Sequence, residues 1–325
     1  MVSFFKDKSA VSVFWLIILC FGLHIYSLIN PPPVTASLNE GFFYYLVQPF
    51  GNLEPYVLSM LYVFLIFLLA LQINFIIDDL HMLPRQSYTP ALAFLLLSAL
   101  LPAFNQISPA LLACNILIWI IYGACKLYNS PRPKASIYNL GLLTGISVIL
   151  YYPMLPLIIS VMFALMIMRS FRLNEWCVLI FGLITPVYFL VTYLFLKDEL
   201  QMLPLPAQLF NLSLTANISF SLVFATLATA VFITLSGIIS LQNTGNFDLI
   251  QVRKNWNLLL VILIFCIPGI FFIRHAWPAA ILLAMVPAAC YIGFAFANAK
   301  WRVLPALFFW ALIALAIYNN WFAKY

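Results

Sequence analysis

Residues 55 to 77 read PYVLSMLYVFLIFLLALQINFII, with no Asp, Glu, Lys or Arg among them. At about 1.5 Å of rise per residue, a helix of this length covers the roughly 30 Å of hydrocarbon in a bilayer. The run shows no period-2 alternation, which argues against a barrel strand. A backbone in lipid satisfies its polar groups only as a helix or a closed barrel, so the stretch is a membrane helix. The rest of the chain has the same texture. Of 325 residues, 65% are hydrophobic and 7% charged, with a mean hydropathy of +1.07, whereas a soluble domain is about 45–50% apolar and about 25% charged.

Apolar runs bounded by charges, prolines or polar clusters predict an all-α, polytopic transmembrane helix bundle of about eleven spans. They fall at 10 to 29, 55 to 77, 89 to 104, 109 to 126, 137 to 151, 154 to 170, 175 to 196, 218 to 241, 256 to 273, 277 to 297 and 303 to 322. At roughly 20 residues each they use about 220 residues, and the remainder suffices only for short connections. The expectation is one integral membrane domain over 1–325, with no soluble domain; a kinase, a Rossmann enzyme and a nucleic-acid module are excluded. Runs 89 to 104 and 137 to 151 are short for a full crossing, and hairpins that do not cross are an alternative for them.

The charges set the orientation, because Lys and Arg are retained on the cytoplasmic side. With the N-terminus inside, the inner segments hold Lys6, Lys8, Arg85, Lys126, Arg132, Lys134, Arg169, Arg172, Arg253, Lys254, Lys300 and Arg302; the outer ones hold Lys197, Arg274 and Lys324. One missed helix would reverse every later loop, so twelve against three supports the span count and places the C-terminus outside. Val34-Thr35-Ala36 ahead of Ser37 imitates a signal-peptide cleavage site. The length of the first apolar run and Pro31 to Pro33 after it favour an uncleaved anchor. Six cysteines lie within or at the edges of spans, without CxxC spacing, and read as packing residues.

Three outer features could carry chemistry. Glu40 precedes the aromatic stretch Gly41 to Val47, read as a short interfacial helix. Partial desolvation there would suit a carboxylate to base work, while a solvated cap at that helix's start is the plainer role. Arg274-His275 sits in a turn against the positive-inside trend; it implies a carboxylate partner or an anion such as a lipid phosphate. The loop from Lys197 to Asn217 carries an apolar stretch, Leu203 to Leu214, too short to span and suited to lie over a cavity. Glu54 and Lys197 are further substrate-binding candidates on this face. On the inner side, Asp78-Asp79-x-His81 has metal-ligand residue types but reads as a solvated cap, so no metal and no cofactor are expected. No ionisable residue stands at mid-span, where ion-coupled pumps place them; Asn74 and Asn115 are expected to hydrogen-bond between helices.

Asn39-Glu40-Gly41-Phe42-Phe43-Tyr44-Tyr45-Leu46 resembles the first outer loop of the GT-C glycosyltransferases that use polyprenyl-phosphate sugars, such as the protein mannosyltransferases and aminoarabinose transferases. Pro186 to Tyr188, Tyr193 with Leu196, and Arg274-His275-Ala276-Trp277-Pro278 are similar in texture. The resemblance implies a GT-C-like fold, a catalytic carboxylate in the first outer loop and a late basic residue on the donor phosphate, which would be Arg274. The acid credited with activating the acceptor falls on Asn39, which leaves Glu40 for that role. The opening Phe4-Phe5-Lys6-Asp7-Lys8-Ser9 also resembles the start of an uncharacterised inner-membrane family of the Bacteroidota.

The leading expectation is thus a glycosyltransferase-like protein handling a polyprenyl-phosphate-linked sugar at the outer face of a bacterial inner membrane. Glu40 would be the base, and Arg274 the phosphate ligand assisted by His275. A non-enzymatic subunit or scaffold of an envelope assembly or secretion pathway is the alternative, and a lipid or solute transporter the third. Expected partners are membrane lipids, the lipid-linked sugar and, in the second reading, a membrane protein; nucleic acid is not among them.

Overall fold

The computed structural model describes residues 2–35, 40–200, 220–244, 249–270, 277–298 and 303–322. Its helices are α1 (Ala10–Leu23), α2 (Ile25–Ile29), α3 (Tyr44–Val47), α4 (Pro55–Asp79), α5 (Thr89–Ser98), α6 (Pro109–Lys126) and α7 (Pro133–Leu150). They continue with α8 (Leu157–Met168), α9 (Leu173–Leu196), α10 (Phe220–Thr244), α11 (Ile250–Gly269), α12 (Trp277–Asn298) and α13 (Val303–Ile317), the last running into a π-turn, Tyr318–Phe322. Each apolar run read from the sequence contains a helix. No strand occurs among the described residues, and Val34 with Ile107 forms an isolated bridge. Seven of the described helices are long and apolar enough to cross a membrane.

Local chemistry explains where the helices start. Ser9 caps α1 by accepting from the Ser12 amide, and Pro55, Pro109 and Pro133 open α4, α6 and α7, where a missing N–H costs nothing. Pro186, Pro268 and Pro287 lie inside helices.

Polar contacts sort the helix ends into two groups. At one end Lys8 pairs with Asp78 (3.1 Å), Lys126 with Asp79 (3.2 Å), and Lys6 donates to the Ala297 carbonyl (3.1 Å). Arg169 bonds Glu175 and the Leu127 carbonyl there, and Lys254 lies over Tyr128. This basic end therefore gathers the start of α1 with the ends of α4, α6, α8 and α12. At the opposite end the Thr35 amide meets the Ile107 carbonyl, Phe42 meets Ile149, and Tyr26 packs edge-on against Trp321.

The core is built on α5 and α12. Every residue of α5 is buried, and α12 is apolar all round and nearly enclosed by α5, α6, α10 and α11. The ten residues of α5 span about 15 Å, half of what a crossing needs. The predicted run 89 to 104 is accordingly no single helix: α5 ends at Ser98, and the chain turns back through a 3-10 turn at Pro102–Phe104.

That buried helix end leaves carbonyls that water cannot reach, and asparagines satisfy them. The Asn320 amide donates to the carbonyls of Ala99 (2.9 Å) and Ala316 (2.7 Å), and Asn319 donates to Leu100 (2.9 Å). Asn105 donates to Asn320 Oδ1 (3.3 Å), and the Tyr62 hydroxyl donates to Asn105 Oδ1 (3.1 Å). His24 Nδ1 faces the Cys20 carbonyl at 3.1 Å and must donate to it, so a neutral ring presents Nε2 as acceptor toward Ser98 Oγ, 3.2 Å away. Non-helical backbone at membrane depth is tolerated where protein encloses it in this way.

On the flank, α7 and α9 run parallel in close contact. A Cβ on Gly182 would stand 2.5 Å from the Tyr138 carbonyl oxygen, and one on Gly141 2.6 Å from that of Leu179. Gly141-x-x-x-Gly145 facing Gly182 and Pro186 is the small-residue seam by which membrane helices approach. Beyond that seam α9 is little buried, with Phe181, Tyr188 and Phe189 exposed. The observed bonds of Asn74 and Asn115 differ from the interhelical ones expected: Asn74 donates to Asp78 (3.2 Å) and Asn115 to the Leu111 carbonyl (3.3 Å), each within its own helix.

Candidate functional site

The last carbonyls of α7 have no following turn to accept from, and the first long loop supplies the missing donors. The Phe42 amide donates to Ile149 (3.2 Å) and the Phe43 amide to Leu150 (3.0 Å). To reach them the chain takes a φ of 128° at Gly41, in the region only glycine adopts freely. A Cβ at Gly41 would overlap the Leu150 carbonyl oxygen. Behind this contact, residues 44 to 47 make one helical turn that buries Phe43 and Val47 and exposes Tyr45 and Leu46, which is the amphipathic aromatic helix anticipated from the sequence.

Docking of this loop holds Glu40 in the protein. Its residue exposure is 6%, lower than an interfacial position would give, and Phe43 stands at the N-cap of α3, so Glu40 is no solvated cap of that helix. Its charge acts on Tyr151, which is 0% exposed and whose hydroxyl has no hydrogen-bond partner among the described residues. The Cys114 side chain lies within electrostatic reach of the same hydroxyl. A buried carboxylate can accept a proton from a hydroxyl group.

The other predicted site residues are dispersed or undescribed. Glu54 is exposed at the N-cap of α4, and its side chain makes no capping bond. Lys197 is exposed at the end of α9, 4.9 Å over the Tyr193 ring; the Tyr193 hydroxyl, and after it Glu199, hold its ammonium above the ordinary lysine range. Asn39, Arg274, His275 and the stretch Leu203 to Leu214 lie outside the described residues. Asp78-Asp79-x-His81 resolves into ion pairs, with His81 Nδ1 on the Asp78 carbonyl (2.9 Å). Among the described residues no three His, Cys, Asp or Glu gather as metal ligands. Five of the six cysteines are buried and Cys177 is exposed, all of them free thiols.

Tyr151 is the residue that sequence reasoning missed. A tyrosine at the end of an apolar run reads as an ordinary interfacial anchor, and only the docking of a loop more than a hundred positions earlier in the chain encloses it. Gly41→Ala tests the seat. It combines a disfavoured φ with a backbone overlap and is expected to cost about 2–3 kcal/mol, seen as a lowered thermal unfolding midpoint of the detergent-purified protein. An unchanged midpoint would show that the loop does not hold to α7 this way. Compared with known protein families, with characterised proteins and with solved structures, the chain has no match.

Proposed function

We propose that the chain is a GT-C-like protein of a bacterial inner membrane. It would have eleven spans, N-terminus inside and C-terminus outside, and handle a polyprenyl-phosphate-linked sugar at the outer face. The observation that carries this reading is the burial of Glu40 beside the unpartnered Tyr151 hydroxyl. Desolvating a carboxylate is costly, and a buried acid in this first loop is where the GT-C resemblance puts the catalytic carboxylate. Glu40 acts as general base toward the acceptor hydroxyl, with the Tyr151 hydroxyl in its electrostatic field. Arg274, assisted by His275, binds the donor phosphate and offsets the charge that develops as the sugar leaves. Lys197 and Glu54 are further substrate contacts on the outer face. The gathering of basic side chains at the far end of the bundle supports the orientation, because that end is then cytoplasmic.

Glu40→Gln keeps the side chain's shape and removes the base. With lipid-linked sugar and the purified protein, turnover is expected to fall by about 10²-fold or more, with the unfolding midpoint held; turnover equal to wild type would overturn the assignment. The exposed aromatic face of α9 supports the second reading, a non-enzymatic subunit of an envelope assembly or secretion pathway. That reading stands if wild type turns nothing over and α9 cross-links to one defined membrane partner.

A further inference from the structure

The turn from α8 into α9 reads Arg169-Ser170-Phe171-Arg172-Leu173 and lies at the basic end of the bundle. Together with Lys134, in the first turn of α7, its residues Phe171, Arg172 and Leu173 line a cleft of about 540 Å³ whose one acidic lining residue is Glu175. That acid is spent. Its side chain is 5% exposed and accepts from Arg169 Nε at 3.0 Å. Lys134 and Arg172 are both exposed, and neither has an ion pair or a side-chain hydrogen bond among the described residues.

The fold itself brings these two cations together. Lys134 stands about two turns before Gly141, and Arg172, the N-cap of α9, about three turns before Gly182, the glycines at which the two backbones touch. Close approach along that seam leaves two like charges in one cleft without a counter-charge, a repulsion that a shared anion would remove. Beside them Phe171 and Leu173 are 67% and 68% exposed. Large apolar side chains next to cations, at the end of a helix long enough to cross a membrane, suit the interface, where the apolar body enters hydrocarbon and the charge meets headgroups.

We propose that this cleft seats the phosphate of an anionic phospholipid from the leaflet at the basic end, and that the phosphate bridges α7 to α9. The Arg172 guanidinium offers a planar pair of donors to phosphate oxygens, and Lys134 adds a point charge. Two unpaired cations select a lipid of net negative charge over a zwitterionic one. Phe171 and Leu173 meet the glycerol and the first acyl carbons, which a soluble phosphate lacks. The site shares no residue with Glu40, Arg274 or the outer face, so it stands or falls apart from the proposed activity.

The test reconstitutes the full chain in nanodiscs of phosphatidylcholine and in nanodiscs of an equal mixture of phosphatidylcholine and phosphatidylglycerol. The thermal unfolding midpoint is expected to be about 3 °C or more higher in the mixture, because a ligand that binds the folded form stabilises it. The Lys134→Gln/Arg172→Gln double variant is expected to lose most of that gain. In phosphatidylcholine it should unfold no earlier than wild type, since it removes a repulsion and no described contact. Arg85→Gln/Arg253→Gln, a second exposed pair at the same end but outside the cleft, is expected to keep the gain. Equal wild-type midpoints in the two lipids overturn the proposal, and so does a gain that survives in Lys134→Gln/Arg172→Gln. A gain lost equally in both double variants also overturns it, because the attraction then belongs to the whole basic end. An equal gain from glycerol 3-phosphate in phosphatidylcholine nanodiscs overturns the lipid as the ligand.

Discussion

Gly182→Val is expected to force α9 off α7 and to lower stability by about 3 kcal/mol or more. The side chain would meet the Tyr138 carbonyl oxygen, the Leu142 amide and the Gly141 Cα, all backbone atoms that cannot rotate away. Overpacking a core usually costs 1–3 kcal/mol because side chains absorb part of it; here the helices themselves must separate. In membranes close approach supplies most of the attraction between helices, since lipid is as apolar as leucine. With so little of α9 buried elsewhere, little else holds it. The measurement is the thermal unfolding midpoint, together with cross-linking between cysteines placed at Tyr138 and Leu179 on the two helices. Retained cross-linking at an unchanged midpoint would show that the seam does not bind α9.

Asn320→Leu is expected to be about as damaging, at roughly 3 kcal/mol. It leaves the Ala99 carbonyl and the Asn105 amide without their partner inside the protein, and a buried polar group stripped of its partner costs about 1–3 kcal/mol. Asn320→Asp is the sharper probe. It keeps the volume but turns an acceptor toward two carbonyls, and should lower the unfolding midpoint at least as far as leucine does. A midpoint within a degree of wild type for Asn320→Asp would mean that the end of α5 is satisfied in some other way.

Helix positions were legible because in lipid the backbone has one local solution, and an uncharged run such as 55 to 77 states its length directly. The cap at Ser9 and the prolines opening α4, α6 and α7 follow from the same kind of local chemistry. What hid α5 was composition: a helix buried in protein and one facing lipid are equally apolar, and the difference appears only when α12 and α13 close around it. No local pattern singles out Asn319 and Asn320. Their partners lie more than two hundred residues earlier, at the end of a helix whose run reads as short for a crossing but whose enclosure no local pattern shows.

The candidate site divides along the same line. Glu40 could be picked out from the sequence because an acid before an aromatic run is a local pattern. Its burial and its neighbour Tyr151 come from a loop docked across the end of α7, and His81, Ser136 and Gln251 line one cleft only because several helix ends meet there. By itself the sequence determined the class, the helices and the segregation of charge, all of which follow from the interaction of single segments with lipid and water. Tertiary structure alone decided which polar groups are enclosed together, because enclosure is a property of several helices at once and leaves no mark on the period or composition of any one of them.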